Sequence, residues 1–153
     1  MTKFAPLEAI AATRDDCVEL LPEPTEQWLG GMALSRRWTD AESLTYSQII
    51  GSIAIPTMFA IFWEGDEIAA LAYGALQNDL LCYESVFTND QHRGRGYARR
   101  TLAALASWAK HRGAKGACLQ VEATNEAAQA LYRSVGLKQE LYRYHYRRQP
   151  LSN

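Results

Sequence analysis

Apolar and polar residues follow one another along this chain in patterns that predict alternating strands and helices from residue 17 onward. Cys17-Val18-Glu19-Leu20-Leu21 alternates weakly and stops at Pro22-Glu23-Pro24, which predicts a first strand. Thr25 or Pro24 then opens a helix through Trp28, Met32 and Leu34 to near Trp38, and Thr39 or Asp40 caps a second that carries Leu44 and Ile49 to about Ile53. Three runs follow, 57–63, 68–76 and 80–88, joined by turns at Gly65-Asp66 and Gln77-Asn78-Asp79; such short turns predict an antiparallel meander. Ala98, Leu102, Leu105 and Ala109 are spaced by four, three and four, the stripe of a helix that packs on a sheet, and Lys110, His111, Arg112 and Gly113 supply its stop. The run 116–124 is the next strand, parallel to 80–88 because a helical crossover separates them, and Asn125 caps a helix over 126–135 that Gly136 ends. In 141–147, Tyr142, Tyr144 and Tyr146 share one face opposite Arg143, His145 and Arg147, which predicts an aromatic core face and a solvated basic one. Residues 1–12 fit either a short strand or a helical turn after Pro6.

Between the strand 80–88 and the helix that starts at Tyr97 lies Gln91-His92-Arg93-Gly94-Arg95-Gly96. A helix start leaves its first N–H groups without intrahelical partners and carries partial positive charge, so a glycine turn before it can bring bare backbone close to an anion. Arg93, Arg95, Arg99 and Arg100 add formal charge around the same turn. Taken alone, such a turn is as often a plain tight connection. Further along, Asn125 and Tyr132 stand seven residues apart, two helical turns, and therefore share one helix face.

The succession of strand, Q-x-x-G-x-G turn, long helix, strand, N-x-x-A-x-x-L-Y-x-x-x-G-[FL] helix and closing strand resembles the Gcn5-related N-acetyltransferase (GNAT) superfamily, strongly over 57–147 and loosely over the first 56 residues. The resemblance implies one domain over 1–153 with a mixed α/β (α+β) fold: a mostly antiparallel sheet of six to seven strands, four helices, and a splayed parallel pair at the cofactor site. It implies acetyl-CoA as co-substrate, its pyrophosphate held by Gln91, His92, Arg93, Gly94, Arg95 and Gly96 and by the first helical N–H groups at Tyr97 and Ala98. The backbone of Val86, Phe87 and Thr88 would pair with the pantetheine arm as another strand does. Asn125 would contact the cofactor, and Tyr132 would stand near its sulfur as general acid. The two early helices would form part of the acceptor wall.

The motif does not carry a base. Glu84 is the first choice and Glu122 its rival, each on a strand end where an acceptor amine could lose its proton, and Ser85 is a third polar group nearby. The implied reaction is direct acetyl transfer to a primary amine of a small molecule or peptide; the alternative is a catalytically silent acyl-CoA-binding or protein-interaction module. Leu137 replaces the phenylalanine common after the glycine, which alters packing rather than chemistry. The closing stretches are similar to a bacterial branch in which a longer N-terminal half often precedes the catalytic half. The resemblance leaves three expectations open: a naturally short member, a part of a longer protein, or a chain that replaces those contacts as a homodimer along its terminal strands.

The 153 residues, 48% hydrophobic and 22% charged, suit one globular domain with a core of its own. Cys17, Cys82 and Cys118 are odd in number and widely spaced, and the three histidines lack ligand spacing, so the expectation is reduced thiols, a cytoplasmic protein and no metal. The longest apolar run, 49–63, is short for a bilayer span and contains Pro56, and no signal peptide pattern opens the chain, so no membrane partner is expected. Up to residue 90 there are four Lys or Arg against fourteen Asp or Glu; beyond it there are twelve against three. A basic second half suits a phosphorylated cofactor, and the acidic first half opposes a broad nucleic-acid contact.

Overall fold

The chain folds into β1 (Thr2–Pro6), β2 (Val18–Leu21), α1 (Glu26–Arg36), α2 (Asp40–Gly51), β3 (Thr57–Glu64), β4 (Glu67–Gln77), β5 (Leu80–Thr88), α3 (Tyr97–His111), β6 (Gly116–Gln120), α4 (Glu126–Ser134) and β7 (Gln139–Glu140). This computed structural model describes residues 1–7, 10 and 14–145. All seven strands among the described residues join one sheet in the order β2-β3-β4-β5-β6-β1-β7. Every neighbouring pair is antiparallel except β5 and β6. The α/β architecture expected from the sequence, a mostly antiparallel sheet with four helices and one parallel pair, is therefore present.

Each face of the sheet carries its own core. On one, Leu102, Leu105, Ala106 and Ala109 of α3 pack on Ala60, Ala72, Leu81, Tyr83, Ala117 and Leu119. The spacing of four, three and four from Ala98 through Leu102 and Leu105 to Ala109 puts these positions on one stripe, and burying them fixes α3 over the central strands. On the other face, Trp28 and Met32 of α1 meet Phe59, Ile61, Leu71 and Tyr73. Trp28 is fully buried, and its Nε1–H donates to the carbonyls of Ala60 and Ala72 at 3.2 and 3.3 Å, which ties α1 to the middle of β3 and β4. Gly31 permits that approach, because a Cβ there would stand 3.0 Å from Leu71 Cδ1. Thr25 caps α1, and Thr39 with Glu42 forms a reciprocal capping box on α2.

One open alternative is settled and two expectations are corrected. Residues 2–6 are a strand, inserted between β6 and β7 with Phe4 opposite Cys118; its short pattern is settled by the open edge of β6 rather than by local preference. β6 stops at Gln120, four residues early, because 121–125 turn away toward α4 once β5 has parted from it. Tyr142 and Tyr144 are exposed rather than forming a core face, since β7 is two residues long, and the Tyr144 hydroxyl donates to Gln120 Oε1; Tyr146 and Arg147 lie outside the described residues. No described helix is long and apolar enough to cross a membrane.

Candidate active site

A β-bulge opens the site. Leu71 pairs with Phe87 and Tyr73 with Glu84, so Ala72 of β4 faces two residues of β5, Ser85 and Val86. Ser85 takes a left-handed φ of 51°, a conformation rare outside glycine, asparagine and aspartate, and its Oγ shares a 2.6 Å hydrogen bond with Tyr46 Oη of α2. The bulge bends β5 away from β6. Their parallel pairing runs from Leu80–Gly116 to Tyr83–Leu119 and ends there, which leaves the backbone of Val86, Phe87 and Thr88 without a strand partner on that side.

The helix that flanks this gap begins without a side-chain cap. Gly96, the N-cap residue of α3, has φ 79°, and Gly94 has φ 76°. Left-handed backbone at both positions curls the turn so that the unpaired N–H groups of the first helical turn face outward. Tyr97 fixes the turn against the sheet by stacking on Phe62, with ring centroids 4.3 Å apart. A groove of about 710 Å³ results, within the size range of small-ligand sites. It brings together Val86, Phe87, Thr88, His92, Arg93, Gly94, Gly96, Tyr97, Ala98, Asn125 and Tyr132.

Charges around the turn divide in a way the sequence did not reveal. Arg99 lines the groove, as does Arg93, which also pairs with Asp90 at 2.7 Å. Arg95 instead reaches Glu64 at 3.0 Å, and Arg100 forms a two-point pair with Asp15 at 2.6 and 2.8 Å while lying over the Phe62 ring. Those two arginines brace α3 and its turn against β3 and the segment before β2. His92 is buried at the groove's rim; its Nε2 is 3.2 Å from Glu67, and its Nδ1 is 2.6 Å from Glu64 but off the hydrogen-bonding direction. Gln91 is exposed and faces a neighbouring cavity beneath α1.

Asn125 caps α4 by accepting from the Ala128 N–H at 3.0 Å, which leaves its amide NH₂ for the groove. Tyr132 is buried, yet no described residue hydrogen-bonds its hydroxyl, and the groove is its open side. Burial pushes its phenol up to about 12; the Arg36 cation opposes that rise and the Glu84 carboxylate adds to it. A second cavity of about 330 Å³ continues from Tyr132 into the gap between β5 and β6 and contains both Glu84 and Glu122. Glu84 is exposed overall, yet the atoms packed around it desolvate its carboxylate in part, and that partial desolvation raises its pKa.

Two further residues join this site without any signal in a motif. Arg36, in the last turn of α1, borders both cavities and makes no ion pair among the described residues. Tyr46 of α2 holds the bulge through Ser85 and packs against Trp38. Among the described residues no group of three or more His, Cys, Asp or Glu side chains could hold a metal ion.

Comparison with known proteins gives this geometry a family. The sequence matches the acetyltransferase (GNAT) family over residues 17–137. The chain belongs to the GNAT family. This GNAT chain is 26% identical over 132 residues to an uncharacterized N-acetyltransferase, YobR, of Bacillus subtilis (strain 168); the match covers 82% of the chain and 50% of YobR. It thus spans about half the length of that curated relative, and 57% of a GNAT-family protein from Novosphingobium aromaticivorans DSM 12444 that it resembles at TM-score 0.63 and 20% identity over 88% of its own length. The fold also matches the aminoglycoside N-acetyltransferase AAC(6')-Iy, solved with a bisubstrate analogue of CoA and acetylneamine. There the TM-score is 0.67 at 16% identity, over 86% of this chain and 98% of that one.

Proposed function

We propose that the chain moves an acetyl group from acetyl-CoA to a primary amine of a small molecule or peptide, by direct attack and without an acyl-enzyme. The observation that carries this reading is the convergence, in one groove, of the unpaired backbone of the bulged β5, the uncapped start of α3 and the Asn125–Tyr132 face of α4.

Each residue then has a physical task. The free N–H groups at the start of α3, with Arg93 and Arg99, offer a diphosphate both hydrogen bonds and positive charge. The open edge of Val86 to Thr88 can receive an amide-bearing arm as an added strand, and one of its N–H groups can polarise a thioester carbonyl. A thioester is already activated, so alignment, a neutral amine and an outlet for the thiolate are what remain to be supplied. Glu84 suits removal of the amine proton, because its raised pKa brings a carboxylate closer to the operating pH; Glu122 lines the same cavity.

Tyr132 donates a hydrogen bond to the departing sulfur. Complete proton transfer from a phenol near 12 to an alkyl thiolate whose conjugate acid is near ~8.5 is opposed by on the order of 5 kcal/mol, so the hydrogen bond rather than the transfer provides the stabilisation. The complex of AAC(6')-Iy, a same-fold protein, with the bisubstrate analogue CoA-S-monomethyl-acetylneamine supports a small-molecule acceptor.

Free-thiol release from acetyl-CoA, assayed over amino acids, polyamines, aminoglycosides and peptides, tests the reading. Turnover with at least one amine class is expected. Tight acetyl-CoA binding with no thiol release across the panel would point instead to a silent acyl-CoA module, and no binding would remove both readings.

A further inference from the structure

Outside the groove, one pair of reactive groups has no role in acetyl transfer. Cys82 of β5 and Cys118 of β6 are register partners in the parallel pair, one step before the strands part. Their Sγ atoms are 3.2 Å apart, and both residues are half-buried. Their neighbours Leu81, Tyr83, Ala117 and Leu119 point into the core beneath α3, so the two thiols occupy the opposite face of the sheet. Glu84, two residues further along β5, shares that face.

Two cysteines can sit together merely as small apolar fillers. Three observations argue for chemistry. Adjacent strands lie about 4.8 Å apart, within the range of roughly 4.4–6.8 Å that a disulfide spans between Cα atoms. The sulfurs must close from 3.2 Å to a bond of about 2.05 Å, a movement that side-chain rotation and a small strand shift can supply. The hydrogen bond from one thiol to the other brings Cys82 down to about 7, which gives it substantial thiolate character near neutral pH, and it raises Cys118. No third ligand accompanies them among the described residues, which disfavours a metal, and Cys17 precedes β2 at the far edge of the sheet.

We propose that Cys82 and Cys118 are a dithiol modification site, converted by a hydroperoxide into an intramolecular disulfide that fastens β5 to β6 at the foot of the gap. The Cys82 thiolate attacks the peroxide oxygen, which breaks the O–O bond, forms a sulfenic acid and releases hydroxide or alkoxide. The Cys118 sulfur then attacks the sulfenic sulfur; the S–S bond forms, the S–O bond breaks, and water leaves with the Cys118 proton. Two electrons pass from the sulfurs to the peroxide. A dithiol reductant reverses the change by thiol–disulfide exchange.

Hydrogen peroxide treatment of the full chain, followed by alkylation and non-reducing peptide mapping, tests this. The expected product is a cross-linked pair of peptides containing Cys82 and Cys118, with the mass of two hydrogens lost, restored by dithiothreitol, and formed equally in Cys17→Ser. In Cys118→Ala, Cys82 is expected to stop at an oxygen adduct instead. Both thiols still alkylated after treatment, separate oxygen adducts on the two in the parent chain, or bridges made only between chains would overturn the proposal.

Discussion

Replacing Gly96 with alanine isolates the contribution of the uncapped start of α3. Gly96 holds φ 79° and ψ 11°, and an added Cβ meets no heavy atom within 4 Å, so backbone conformation rather than crowding opposes the change. A side chain held in left-handed backbone costs roughly 1–2 kcal/mol, and the lower entropy of the unfolded chain offsets about 0.4–1 kcal/mol of that. Where the unliganded fold keeps that geometry, the net loss of stability is on the order of 1 kcal/mol, a fall in Tm of about 2–4 °C for a chain of this size. If the free turn escapes the strain by relaxing, a bound diphosphate must restore the left-handed geometry, so acetyl-CoA affinity falls by the same 1–2 kcal/mol, about 5- to 30-fold. Gly113→Ala is the matched control: φ is 89° and the Cβ again meets nothing within 4 Å, but the residue follows the other end of α3. Thermal melts and calorimetric titration with acetyl-CoA are run on both variants. A small loss of Tm with weakened binding in Gly96→Ala, against a full loss of Tm with parent-like binding in Gly113→Ala, is expected. A Gly96→Ala protein that binds as well as its parent, or a Gly113→Ala protein that binds equally poorly, would refute the cradle.

Three other substitutions probe separate parts of the account. Tyr132→Phe should lower kcat by roughly 10- to 100-fold with little change in the KM for acetyl-CoA; a raised KM at unchanged kcat would make the hydroxyl a binding group instead. Glu84→Gln should stabilise the fold at neutral pH, because above its raised folded pKa the native state carries a carboxylate that its surroundings disfavour. That gain should vanish as pH falls through the folded pKa and below the ordinary carboxylate value, where the group is protonated in both states; urea melts showing a larger gain in acid would contradict the sign. Trp28→Phe removes the donor that the carbonyls of Ala60 and Ala72 share and should cost about 1–3 kcal/mol by chemical denaturation. An unchanged midpoint would show that Trp28 holds α1 by packing alone.

The elements legible in the sequence are those whose periodicity matches their burial. The stripe of α3, the tight turns of the β3–β4–β5 meander and the caps at Thr39 and Asn125 are local signals, and each appears where its pattern places it. Features set by distant partners were not legible. β1 is five residues whose position depends on the edge of β6, and the bulge at Ser85 places a non-glycine residue in left-handed backbone with no sequence mark. The cradle glycines and the Asn125–Tyr132 face could be read from spacing, and they line one groove. The charges beside them could not, because Arg95 and Arg100 find Glu64 and Asp15 only once the chain has folded. Arg36 and Tyr46, from the helices where the resemblance was loosest, enter the site for the same reason.

Amide NMR shifts during titration with CoA test the central claim most directly, since they report where the diphosphate and the pantetheine arm lie without depending on turnover. The largest changes should fall on the amides of 94–98 and 86–88, the uncapped turn and the open edge of β5. Changes centred elsewhere, such as on the cavity lined by Val18, Ala104 and Trp108, or no changes at millimolar CoA, would contradict the account.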